Sequence, residues 1–154
     1  MLPIWEGTSN VMALDMLRAI SKSDGEVLRA FKGRVIKILD ECAKSNEPDI
    51  VASFQATQEA LLNLMDFINK HQRDPARMEI AARDICVSLG SIYISALLLE
   101  HALHTQKRLD AYAAKLWTQK HDLCPVSTQA KAGSYLSLKN TNLPSQLVFE
   151  NFSE

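Results

Sequence analysis

Apolar residues recur along this chain at spacings of three and four, and that period admits helices and little else. Val27, Leu28, Phe31, Val35, Ile38, Leu39 and Cys42 form one stripe, with Arg29, Lys32, Lys37, Asp40 and Glu41 mostly off it. A second stripe runs through Ile50, Val51, Phe54, Leu61, Leu62, Met65 and Ile68. A third, longer series takes in Met78, Ile85, Leu89, Ile92, Tyr93, Ala96, Leu99, Leu103, Leu109, Tyr112, Leu116 and Trp117. Only five glycines and five prolines punctuate the 154 residues. The spacing therefore predicts an all-α fold: an antiparallel helical bundle of about four helices, with a partly irregular C-terminal tail.

Local signals place the helix ends. Thr8 is the best N-cap for a first helix over about 9–21, in which Val11, Leu14, Leu17 and Arg18 are helically spaced. Ser23 with Glu26 three residues on reads as a capping box for the second helix, which runs to about Lys44. Pro48 suits the first turn of the third helix, which runs to about His71. Asp74-Pro75 then reads as an N-cap followed by a proline at the first helical position. The fourth segment is expected to continue to about Lys120, with a bend near Gly90 or near His104-Thr105. After Leu123-Cys124-Pro125 the composition turns to Ser, Thr, Asn and Gln.

The gross numbers exclude several classes. A formal net charge of −1 gives no global attraction to nucleic acid or to an anionic membrane. The apolar run from Ile92 to Leu99 is too short to span a bilayer. Cys42, Cys86 and Cys124 fit no metal spacing or disulfide framework, and read as reduced thiols in an intracellular compartment. No signal peptide or other targeting segment is visible. Glu100, His101 and His104 do not have the Glu-x-x-His spacing of a di-iron site, and no second copy exists, so no metal is expected. His71 and His121 sit near helix C-termini, where an imidazolium complements the dipole. Lys32, Arg34, Lys37, Arg73, Arg77 and Arg83 form a basic set only if their helices adjoin; Asp40, Glu41, Glu79 and Asp84 interleave with them.

The chemistry-bearing feature lies at the start. In Trp5-Glu6-Gly7-Thr8 a carboxylate stands one residue before a glycine, at the mouth of a helix. Gly7 lets a ligand approach the backbone, and Thr8 with the free N–H groups after it offers donors to an anion. Glu6 suits a general base if apolar surroundings raise its pKa, and Trp5 would help exclude water. The plain alternative is a solvated loop acid beside an ordinary cap.

The string Pro3-Ile4-Trp5-Glu6-Gly7-Thr8-Ser9-Asn10, followed by Ala13-Leu14-Asp15-Met16-Leu17-Arg18, resembles the C-terminal signature of the acyl-CoA dehydrogenase family, nearest to its AidB-like branch. The resemblance implies that Glu6 is the base taking the α-proton of an acyl-CoA, with a hydride passing from the β-carbon to FAD. It implies that Gly7 lies against the thioester and that Thr8, Ser9 and Asn10 contact the flavin. Asn10 is shorter than the glutamine the family often carries there. Some members hold their base on another helix.

The same resemblance divides the chain. Residues 1–22 correspond to the last helix of the dehydrogenase bundle with its active-site loop. Residues 23–121 correspond to a helical extension of the flavoenzyme core, and 122–154 to an irregular tail. A family enzyme also has an N-terminal helical domain and a β-domain, which this chain does not match. The chain therefore reads as a C-terminal fragment, expected to bind FAD weakly or not at all by itself. In the full-length context the family implies an acyl-CoA substrate, a homo-oligomer (dimer or tetramer) and a mitochondrial or peroxisomal setting. Two further readings are a non-catalytic oligomerisation module and, by analogy with the AidB-like branch, a DNA-binding helical region.

Overall fold

The computed structural model describes residues 9–137. Within them the chain forms eight helices and no strand: α1 Ser9–Lys22, α2 Glu26–Cys42, α3 Pro48–His71, α4 Pro75–Ile80, α5 Ala82–Thr105, α6 Arg108–Lys120, α7 Pro125–Lys131 and α8 Ser134–Ser137. The all-α bundle is the fold that the periodicity predicts.

α5 is its axis. It packs against α1, α2, α3, α4, α6 and α7. Ile85, Ile92, Ala96 and Leu99 on its inner face are fully buried, and they meet Ile38, Leu64 and Val35 of α2 and α3 in one continuous core. α5 is long and apolar enough to cross a membrane by length and composition; here its inner face is the centre of the helical core.

Small residues let the helices approach. Ser53 and Thr57 of α3 and Ser88 and Ser95 of α5 are fully buried. The hydroxyls of Ser53, Thr57 and Ser88 donate to the carbonyls of Asp49, Ser53 and Asp84, four residues back, at 2.7, 2.7 and 2.6 Å. Thr57 Oγ1 and Ser95 Oγ lie 2.6 Å apart across the interface. A buried hydroxyl costs free energy unless it is paired, and these are paired.

Three departures from the expected elements have local causes. The segment from Pro75 does not run unbroken to Lys120. Gln106 adopts a left-handed conformation with φ 53°, and its N–H donates to Ala102 O at 2.9 Å, closing α5. The Thr105 hydroxyl then donates to Asp110 in the first turn of α6 at 2.6 Å, and α6 folds back along α5. Gly90 does not bend the helix; it sits in uninterrupted α5. Nor does Ala81 much disturb it, since Ala81 N–H bonds Arg77 O and Ile85 N–H bonds Ala81 O.

The capping box is also not formed. Ser23 Oγ donates to Ile20 O at 3.0 Å, at the end of α1, and accepts only a long bond of 3.5 Å from Val27 N–H in the first turn of α2. Gly25 N–H reaches Ile20 O and Asp24 N–H reaches Ser21 O, the paired bonds that satisfy the last carbonyls of a helix. Asp24 and Gly25 take φ of 47° and 75°, and Gly25 is the N-cap of α2.

Residues 122–137, read as the start of the irregular tail, carry α7 and α8. Val126 is fully buried, and its N–H donates to Ser88 Oγ at 3.3 Å. Tyr135 donates to Asp84 Oδ2 at 2.6 Å and meets Phe67 with ring centroids 5.9 Å apart. The Asp74–Pro75 start forms as expected, with Arg77 N–H donating to Asp74 Oδ1 at 3.2 Å.

Two glycines separate two effects. A Cβ on Gly33, in α2, meets nothing within 4 Å, so Gly33→Ala is expected to raise the unfolding free energy by about 0.5–1 kcal/mol. Gly25→Ala forces an L-residue into the left-handed region and is expected to lower it by roughly 1–2 kcal/mol. Urea unfolding of the two variants beside the parent chain checks both signs.

Candidate functional site

Of the five residues that the sequence singles out, Glu6, Gly7 and Thr8 lie outside the described residues. Ser9 and Asn10 are the first two residues of α1, and both are exposed. The first turn of α1 carries no acidic residue, so nothing there opposes an anion at its N-terminus. α1 itself is firmly seated. Ala13 is fully buried, Met16 and Leu17 pack on the core, and the helix rests against α5, α2 and α4. The mouth of α1 is thus held in a set direction relative to the bundle.

A groove of about 710 Å³ opens along the rest of α1. Leu14, Leu17, Leu28, Met65, Ile68 and Met78 supply its apolar lining, and Arg18, Asp24, Arg29, Lys32 and Glu79 its polar one. Two of those cations are engaged: Arg18 donates to Asp15 at 2.6 Å and Arg29 to the backbone oxygen of Asp24 at 3.1 Å. The groove's lining starts at Leu14, a full turn past Asn10, and continues toward the C-terminal end of α1. Among the described residues, the groove does not reach the helix mouth. A smaller cavity of about 400 Å³ lies between the α2–α3 connection and the α5–α6 corner, lined in part by Glu41, Lys44, Glu47, Lys107 and Arg108.

The remaining polar residues of interest have structural partners. Glu100 accepts from Arg34 Nη2 through both oxygens, at 2.8 and 2.7 Å. His101 Nε2 lies 3.6 Å from Asp110. No group of three or more potential metal ligands occurs among the described residues. His121 stacks on Trp117 with centroids 3.9 Å apart, and its Nδ1 lies 3.0 Å from Trp117 O. Arg77 turns toward His71, with 3.4 Å between Nη1 and Nδ1, and its Nε is buried without a partner. With Arg34 and Arg77 so engaged, the basic set does not form one continuous free face.

The cysteines are free. Burial pushes the Cys42 thiol up to about 11 and raises that of Cys124, so both stay protonated at neutral pH. Cys86 is half-buried. Sequence reasoning missed the ion pair of Lys115 with Asp49 at 2.6 Å and the Tyr135–Asp84 bond, because partners 66 and 51 residues apart leave no local signal.

The sequence has relatives. The chain belongs to the acyl-CoA dehydrogenase 11 C-terminal domain-like family, whose pattern matches residues 26–149, starting at the first residue of α2. It is similar to the acyl-CoA dehydrogenase family member 11 of Caenorhabditis elegans, at 36% identity over 104 residues. That alignment takes in 65% of this chain and spans 16% of the length of that relative. No solved structure matches the chain.

Two measurements test these environments. Burial, and then the Arg77 charge, hold the His71 imidazole below its ordinary value. The unfolded chain therefore takes up that proton first, and stability is expected to fall as pH drops through about 6.5. His71→Gln is expected to flatten that slope in urea midpoints measured from pH 8 to 5.5. A maleimide reagent is expected to modify Cys86 in the native chain, and Cys42 and Cys124 only in denaturant, as read by mass spectrometry.

Proposed function

We propose that this chain is the helical C-terminal unit of an FAD-dependent acyl-CoA dehydrogenase, to which it contributes one wall of the active-site mouth. Continuity carries the reading. The Trp5–Asn10 string leads straight into α1, and α1 lies on α2, α4 and α5 of the family-matched unit.

In this reading Glu6 removes the α-proton of the acyl-CoA thioester. Gly7 leaves room for the thioester against the backbone, and Trp5 keeps water from the carboxylate. Thr8, Ser9 and Asn10 turn donors toward the cofactor. FAD, when bound, accepts the hydride that leaves the β-carbon. The described residues fit one edge of such a site: Ser9 and Asn10 are exposed, and the helix N-terminus is free of acid. They do not enclose a ring system, since one helix mouth offers a single side. Among the described residues there is no strand, and the relative aligns over only 16% of its length. The isoalloxazine and acyl pockets accordingly fall to other parts of the enzyme. The whole enzyme, in this reading, is a homo-oligomer.

Two experiments test it. The purified 154-residue chain mixed with FAD is expected to show no stoichiometric bound-flavin absorbance; a yellow one-to-one complex overturns the division of labour. In a dehydrogenase carrying these residues as its C-terminal segment, Glu6→Gln is expected to slow α-proton exchange of acyl-CoA by about 10²–10⁴-fold. An unchanged exchange rate, followed by NMR, overturns Glu6 as the base.

A further inference from the structure

α5 is enclosed on its inner face only. Residues 83, 87, 90, 94, 97 and 101 recur at intervals of four, three, four, three and four, and so lie along its opposite face. All six are exposed. Between the terminal pair the strip is uncharged: Val87 is 46% exposed, Ile94 42% and Leu97 39%, with Gly90 among them. Three aliphatic side chains aligned on the outer face of the most apolar helix make a continuous apolar ridge between residues 87 and 97.

Contacts to neighbouring helices bracket the strip on both sides. Along one flank Phe31 of α2 meets Tyr93 with centroids 6.0 Å apart, and Arg34 holds Glu100. Along the other, Trp117 of α6 donates to Ser91 O at 3.4 Å, and Asp110 lies beside His101. The strip is thus the ridge of a broad three-helix face.

The spacing is palindromic. A two-fold axis perpendicular to α5 near residue 92 brings position 87 opposite 97, 90 opposite 94 and 83 opposite 101. Val87 then meets Leu97 of the second copy, and Ile94 sits over its Gly90. Gly90 has no internal role: a Cβ there meets nothing within 4 Å, yet glycine costs about 1 kcal/mol in a helix interior. Its missing side chain makes a hole where the second copy's Ile94 is a knob. The charges agree as well. Arg83 makes no ion pair within the described residues, and the two-fold places it at the end where Glu100, His101 and Asp110 cluster. The strip is roughly 27 Å long from residue 83 to 101. With a helix on each side at about 10 Å it approaches the 800 Å² or so per partner of a stable interface.

We propose that the outer face of α5 is an isologous interface, on which a second copy of this chain docks with its own α5 antiparallel. The interface gives a surface to the homo-oligomer of the proposed enzyme, and it does not depend on flavin or on Glu6.

Sedimentation equilibrium of the 154-residue chain is expected to give a dimer. Ile94→Glu is expected to give a monomer with unchanged helical circular dichroism, because Ile94 is exposed in the single chain. In a Cys86→Ser background, a mixture of Val87→Cys and Leu97→Cys chains is expected to form the mixed disulfide on oxidation. Val87→Cys alone is not, since its two copies would stand about 15 Å apart along the axis. A monomeric parent chain would assign the strip to a different partner and overturn the proposal. So would an Ile94→Glu dimer, a Val87→Cys homodimer disulfide, or a mixture that does not cross-link.

Discussion

A helix as apolar as α5 has to be enclosed, and the arrangement of its neighbours follows from that need. Its inner face lies in the one continuous apolar core of the described residues. α3 meets it through small residues, Ser53, Thr57 and Ala60 against Ser88, Ser95 and Ala96, set among larger core residues such as Leu64 and Leu99. Each hydroxyl there directs its proton at an acceptor, so that close contact leaves no polar group stranded. α6 is a second cover made from the same stretch of sequence, folded back at Gln106. α7 is clamped by Ser88, which donates within α5 and accepts from Val126 at once.

α1 stands in a different relation to that core. It touches the bundle through few large side chains, with Ala13 the only residue of the helix fully enclosed. Met16 and Leu17 also pack on the core, Leu14, Leu17 and Ile20 line the 710 Å³ groove, and Val11 and Met12 are exposed. Such a helix is held in place by the bundle without being part of its centre. That suits an element whose N-terminal end must face something else. The family match beginning at α2 draws the same line between α1 and the later helices.

Where the sequence was legible, the signal was local and chemical. Pro48 and Asp74-Pro75 start helices because a proline's missing N–H is harmless only in a first turn. The stripes of α2 and α3 predict much of their inner faces, but Val27 and Leu62, counted in them, are 52% and 64% exposed, while Leu64 and Phe67, left out, are buried. Ser23–Glu26 misled because the same serine serves the preceding helix end, and the pattern carries no sign of which end wins. The reversal at Gln106 was readable only as weak propensity at His104-Thr105. A glutamine in the left-handed region carries no composition signal of its own. Of the candidate site, the start of α1 was legible, while Glu6, Gly7 and Thr8 lie outside the described residues. The groove along α1 was not legible, because its lining comes from four helices whose mutual arrangement no local pattern encodes.

The paired left-handed residues Asp24 and Gly25 set more than a turn. They are the corner from which α1 projects, and α1 is a rigid arm of 14 residues, about 20 Å long. At that radius, ten degrees of change at the corner displaces Ser9 by roughly 3.5 Å. In the proposed enzyme, where the carboxylate precedes α1 in the sequence, a displacement of about 1 Å matters to the reaction. Angular tolerance at this corner is then only a few degrees. The aim of the helix mouth is set jointly by this corner and by the contacts of α1 with α5, α2 and α4.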